Sequence, residues 1–188
     1  YSMHSKTALH GPACFMMNTG FTLPGFPSMG SWVTYGLGSE SDNLPAFIVL
    51  PDPAGLPPGG IINWGAGFLP ATHQATTLDT SNPAQPIADL FPPTDFKLAT
   101  PASDRDGLAF LSRLNKIHQQ SRPGNTELDA RIKAYELAAR LQLSAPEVTD
   151  LSEETEQTRR MYGIDGADTR AFGHQCLLAR RLVEKGVR

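Results

Sequence analysis

The spacing of apolar and polar positions divides the chain into two regions of different character. From residue 102 on, apolar residues recur every three or four positions against densely charged faces, the pattern of helices with one solvated side. Ser103 with Asp106 predicts a helix start, with Leu108, Leu111, Leu114 and Ile117 on one face, and Pro123-Gly124 ends the segment. Asn125 or Thr126 caps the next helix, whose stripe of Leu128, Ile132, Tyr135, Ala139 and Leu143 reads as buried. Ser144-x-x-Glu147 with Pro146 is a capping-box pattern, so a break and restart is expected there. A helix around 153–162 should stop at Gly163, its Glu153, Glu154 and Glu156 complementing the helix dipole. A last helix over 169–185, capped by Asp168 or Thr169 and stopped by Gly186, should bury Phe172, Cys176, Ala179 and Leu182 or Val183.

Before residue 102 the periodicity fades. Phe47-Ile48-Val49-Leu50 before Pro51 reads as a short buried strand. Residues 51–101 have almost no period and read as a functional loop system. Residues 1–101 hold 14 of the 16 prolines and 11 of the 17 glycines but only 8 of the 35 charged residues. The expected organisation is one incomplete α/β domain over 1–188, with a loop-rich part carrying short strands (1–101) and a helical part (102–188). The chain opens at Tyr1 with no export signal visible and closes on a helix, a glycine and Val187-Arg188, as a helix feeding a further strand would. It therefore reads as an internal fragment.

Composition narrows the function classes. A formal net charge of −3 without a basic block argues against nucleic acid as a partner. No run approaches the roughly 20 apolar residues of a membrane span. Cys14 and Cys176 are too far apart in sequence to suggest a disulfide framework or zinc knuckle.

The densest candidate chemistry is His10-Gly11-Pro12-Ala13-Cys14-Phe15-Met16-Met17-Asn18-Thr19-Gly20. Pro12 suits the first turn of a helix and Gly20 its end, so His10 falls at the helix N-terminus, where free N–H groups and the dipole favour an anion. A histidine there can bind metal, exchange a proton or attack, or simply cap the helix. His4, six residues earlier, is a second candidate for the same metal or anion, or an independent surface residue. Ser28 and Ser31 lie in a glycine-bearing turn, where a serine can donate to a bound oxyanion but turn serines generally bond their own backbone. Gly36-x-Gly38 and Gly65-x-Gly67 read as plain turns. Trp32, Trp64, Phe68 and His73 lie in or near the long loops, where exposed aromatics suit either anchoring loops or stacking on sugar rings; His73 is assigned no role.

His10-x-Pro12-Ala13 followed by Thr19-Gly20 resembles the nucleophile segment of sulfatases, where C-x-P-S-R leads a helix ending in T-G at the same spacing. In that alignment the nucleophile falls on His10 and the following Arg on Cys14, which argues against formylglycine chemistry. The whole chain resembles a bacterial exported family called domain of unknown function 1501. The resemblance runs through Ser2-Met3-His4, Pro27-Ser28-Met29-Gly30-Ser31-Trp32-Val33-Thr34-Tyr35-Gly36-Leu37-Gly38, Asn43-Leu44-Pro45, Gly67-Phe68-Leu69-Pro70, Tyr135-Glu136, Ser144-Ala145-Pro146-Glu147, Asp150-Leu151-Ser152, Tyr162-Gly163 and Cys176 to Arg188. It implies an alkaline-phosphatase-like α/β/α three-layer fold, periplasmic or secreted location, and hydrolysis of a sulfate or phosphate ester on a small molecule or polysaccharide. A divalent metal ion is implied too, with its main ligands outside this chain, so that the chain alone should be inactive. A non-catalytic exported protein that binds a glycan or another partner is the alternative.

Overall fold

The computed structural model describes residues 4–80 and 101–188, leaving aside the side chains of 101–105, 126, 127, 130 and 142–146. The expectations for Ser2, Met3 and loop positions 81–100, and for the side chains of Ser103, Thr126, Leu143, Ser144 and Pro146, fall outside the described residues.

Helix α1 spans His10–Thr19 and α2 spans Met29–Leu37. Strand β1 is Ile48–Val49 and pairs in parallel with β2, Thr76–Thr77, with Ile48 opposite Thr76 and Val49 opposite Thr77. Between them run two 3-10 turns, Gly60–Trp64 and Ala71–His73. Four helices follow: α3 Pro101–Gln120, α4 Thr126–Thr149, α5 Glu156–Met161 and α6 Arg170–Glu184. The architecture is helix-rich α/β with a small parallel sheet.

The core forms where α4, α6 and the sheet meet. Leu44, Leu78, Leu141, Val148, Leu178, Leu182 and Val187 are buried together, with Ile48 and Leu50 packed against them. Gln175 of α6 is buried and donates through Nε2 to the Pro51 carbonyl (2.6 Å) and to Thr80 Oγ1 (2.8 Å). One side chain thus ties the helix to the residues following both strands. Beyond α6, Gly186 takes a left-handed φ of 87° and a Cβ there would meet the Glu40 backbone. Val187 is buried, and the Arg188 N–H donates to the Ala46 carbonyl (3.2 Å), beside the approach to β1. Glu154 accepts from both Arg180 (3.1 Å) and Arg181 (3.0 Å) and so fastens the turn before α5 to α6. That acid holds the fold in addition to sitting near a helix start.

Several sequence expectations change. α4 is continuous through Pro146. Proline there removes one N–H in the last turn, and packing of Leu141 and Val148 on either side keeps the helix whole. α6 is rotated from the expected face: it buries Gly173, Gln175, Leu177, Leu178 and Leu182, whereas Phe172 and Val183 are exposed and Cys176 is half-buried. Gly173 sets that rotation, because a Cβ there would strike the Tyr162 carbonyl. Tyr135 is exposed rather than buried, although Ile132 on the same helix is buried. The α3 face of Leu108, Leu111, Leu114 and Ile117 is largely exposed. The helix of 153–162 begins later, at Glu156, because the Thr155 hydroxyl caps it by accepting from Thr158 N–H (3.1 Å).

Candidate functional site

α1 is built as its sequence dictates. Pro12 lies in the first turn, where its missing N–H has no intrahelical partner to lose. Thr19 Oγ1 and Asn18 Nδ2 donate back to the Phe15 (2.8 Å) and Cys14 (2.9 Å) carbonyls near the helix end. Gly20 then closes the helix at φ 82°, its N–H on the Met16 carbonyl. At the other end the N-cap is Leu9, which offers no side-chain acceptor, and the first turn contains no acid. His10 is the first helical residue and is exposed, and so is His4 in the preceding segment. Among the described residues no group of three or more His, Cys, Asp or Glu is placed to hold a metal ion. Two exposed histidines are too few to form such a site, so the described residues do not fit a resident metal by themselves.

The 60–64 turn packs against both α1 and α2. Gly59 is required at this junction, since its φ is 91° and a Cβ would lie 2.7 Å from the Phe15 ring. Asn63 is fully buried and donates twice through Nδ2, to the Pro58 and Gly60 carbonyls (both 2.9 Å). The same turn system is held to α2 by the two serines. Ser28 caps α2, its Oγ accepting from Ser31 N–H and lying 2.9 Å from Ser31 Oγ. Ser31 Oγ and Ser28 N–H both donate to the Gly65 carbonyl (3.1 Å each). Both serines are buried and bonded to backbone groups, but residues 29–37 form α2, so Ser31 and Gly36 lie in a helix where turns were expected, with Ser28 as its cap. Gly67, at φ 57°, lies so close to Phe26 and Pro27 that a Cβ would come within 2.5 Å of their backbone.

These contacts bring together side chains that are far apart in sequence. Phe21 stacks on Phe26 with ring centroids 3.8 Å apart, and Phe26 meets Phe68 edge to face at 6.4 Å. Phe68 meets Trp32 at 5.7 Å, Trp32 meets Tyr35 at 6.1 Å, and Tyr35 meets the His73 ring at 5.4 Å. The result is a continuous row of six rings from the α1–α2 loop, α2 and the 65–73 segment. Phe21 (50%), Phe68 (65%), Trp32 (46%) and Tyr35 (55%) are exposed. Burial, and then the nearby Lys133 charge, hold the His73 imidazole below its ordinary pKa. Of the loop aromatics singled out in the sequence, Trp32, Phe68 and His73 belong to the row, while Trp64 is not among its ring contacts and is half-buried. Phe21, Phe26 and Tyr35 escaped sequence reasoning. The available signal was the run from Thr7 to Ser39, which carries aromatics but no Asp, Glu, Lys or Arg.

Cys14 and Cys176 are free and half-buried. His118 is exposed beside the Arg122 guanidinium. His174 is half-buried on α6, and burial lowers its pKa.

Fold and site define a helix-rich α/β protein with an exposed histidine leading an N-terminal helix and an aromatic surface beside it. A family model described as "Protein of unknown function (DUF1501)" matches residues 1–188, and the chain belongs to that family. No curated protein and no solved structure matches the chain.

Proposed function

We propose that the chain is part of an exported sulfatase- or phosphatase-like hydrolase with an alkaline-phosphatase-like α/β/α fold, and that the His10 end of α1 belongs to its ester-binding site. The observation that carries this reading is the start of α1. The helix opens on a histidine, with no capping side chain at Leu9 and no acid in the first turn. Its first backbone N–H groups, at the positive end of the dipole, suit the oxygens of a sulfate or phosphate group. His10 stands beside them as a metal ligand, an acid or base, or a nucleophile, in that order of preference. His4 is the second candidate ligand. The substrate is an ester on a small molecule or polysaccharide, and the location is periplasmic or secreted.

In this reading His10 and His4 would be accessory ligands to a divalent metal whose main ligands lie outside this chain, and the metal would supply Lewis-acid polarisation of the ester oxygen. The part assigned to this chain is to hold the anion at the α1 N-terminus and to present His10. The alternative, a non-catalytic glycan-binding protein, is favoured by one observation, the exposed aromatic row.

Metal content of the protein at its full natural length, by mass spectrometry of wild type and His10→Ala, tests the hydrolase reading. About one or two divalent ions per chain are expected in wild type and fewer in the variant. No ion in either, with folded protein and metal supplied, moves the assignment to the binding protein.

A further inference from the structure

We propose that the row Phe21, Phe26, Phe68, Trp32 and Tyr35 is a stacking platform for a neutral carbohydrate chain. This goes beyond the hydrolase reading and stands without it, since the platform binds whether or not His10 takes part in chemistry.

Three observations carry the proposal. The rings are contiguous, each in contact with the next at centroid distances of 3.8 to 6.4 Å, and four of them are roughly half or more exposed. Isolated surface aromatics are ordinary, whereas a connected exposed set marks a contact surface. The rings are also held in place. Ser28 and Ser31 fix α2 to Gly65, and the close approach of Gly67 to the Phe26–Pro27 backbone sets the neighbouring Phe68 edge to face with Phe26. Little ordering remains to be done when a ligand arrives.

The third observation is charge. Residues 7–39 and 53–78, which supply every ring of the row, contain no Asp, Glu, Lys or Arg. A nucleic acid strand stacked on aromatics needs a cationic groove along its backbone, whereas the cation placed near the row among the described residues is Lys133, beside His73 at one end. A sulfated or phosphorylated chain read along its length needs arginine or lysine in the same way. Neutral sugars need apolar ring faces with scattered hydrogen-bonding groups. The Trp32 indole N–H and the Tyr35 hydroxyl supply these, amphipathic rings being apolar in the body and polar at the tip. His73, adjoining Tyr35, adds an imidazole at the end of the row.

The test is affinity electrophoresis of the protein through gels containing hydroxyethylcellulose, galactomannan, mixed-linkage β-glucan or soluble starch. Retardation by at least one polymer is expected, weakened about tenfold in Phe68→Ala and in Trp32→Ala and unchanged in Phe110→Ala, an exposed ring on α3 outside the row. Thermal unfolding checks that the variants remain folded. If Phe68→Ala does not, Phe68→Leu keeps the apolar volume, removes the aromatic face, and should lose the same retardation. No retardation by any of the four polymers overturns the proposal, as does retardation that survives both Phe68→Leu and Trp32→Ala. Concentration-dependent dimerisation abolished by those same variants, without sugar retardation, would make the row an interface between copies and also overturn it.

Discussion

His174 shows what a single residue contributes once its surroundings are fixed. Its Nδ1 is buried and has no hydrogen-bond partner among the described residues. Burial favours the neutral imidazole and lowers the pKa from 6.5. The unfolded chain, with an ordinary histidine, then takes up its proton first as the pH falls. Stability from this group is therefore complete above about pH 6.5 and is lost as the pH drops from there through the folded-state value. Thermal unfolding of wild type should weaken between about pH 7.5 and 5.5, and His174→Gln should weaken less over the same interval. Equal pH dependence in the two proteins would show that the imidazole is not buried in solution. The lowered Glu147 and Asp150 pKa values act below the ordinary carboxylate range, whereas His73, also held low by burial and Lys133, contributes in the same window, so the difference between wild type and His174→Gln is what isolates His174. From the sequence, His174 falls inside the last helix, on a solvated or half-buried face. Its missing partner was not legible, because the seating of α6 depends on Gly173 fitting under the Tyr162 carbonyl, a contact with no local signature.

At the scale of elements, α2 is the part whose integrity the aromatic row needs most, since it carries Trp32 and Tyr35. Ser28 is its cap and also contacts Ser31, whose hydroxyl reaches Gly65. Ser28→Ala removes the cap and leaves buried polar groups short of a partner. A loss of about 1 kcal/mol is expected, or roughly 2–4 °C in Tm for a chain of this size. Ser28→Thr or Ser28→Asp should recover part of the capping, provided the buried site admits the extra atoms; an unchanged Tm in Ser28→Ala would show that the α2 start is held by packing alone.

Elements with strong local signals were legible: α1 between Pro12 and Gly20, α6 up to Gly186, and the Asn125 cap, whose Oδ1 accepts from Leu128 N–H. β2 was not, because a strand of two threonines has no period to detect and exists through its pairing with β1. The break expected at Pro146 failed for a similar reason. A capping-box pattern is a local preference, and here the core contacts of Leu141 and Val148 override it. The candidate site divides in the same way. His10 was placed by helix punctuation, whereas the aromatic row joins three segments through the Gly65 and Gly67 contacts, which no sequence window contains.

Over the whole molecule, polar and apolar surfaces are unevenly distributed. The core gathers α4, α6 and the sheet, while α3 shows Leu108, Leu111, Leu114 and Ile117 at 45–64% exposure. Leu114 and Ile117, with Leu128, Ile132 and Tyr135, also line a groove of about 570 Å³ between α3 and α4. No helix among the described residues is long and apolar enough to cross a membrane. The exposed α3 stripe is a contiguous apolar face of the kind that marks a contact surface. Replacing residues this exposed should cost little folding stability. Leu111→Glu with Ile117→Glu should shift Tm by no more than about 4 °C, in line with surface substitutions of up to roughly 0.5 kcal/mol each. Ile132→Ala, at 7% exposure on the neighbouring helix, should instead cost about 2–5 kcal/mol through the cavity it leaves. Sedimentation velocity provides the second readout: association of the wild type at high protein concentration should fall in the double glutamate variant. Should the double variant destabilise the fold as severely as Ile132→Ala, the α3 stripe is covered in solution, and α3 belongs to the core rather than to the surface.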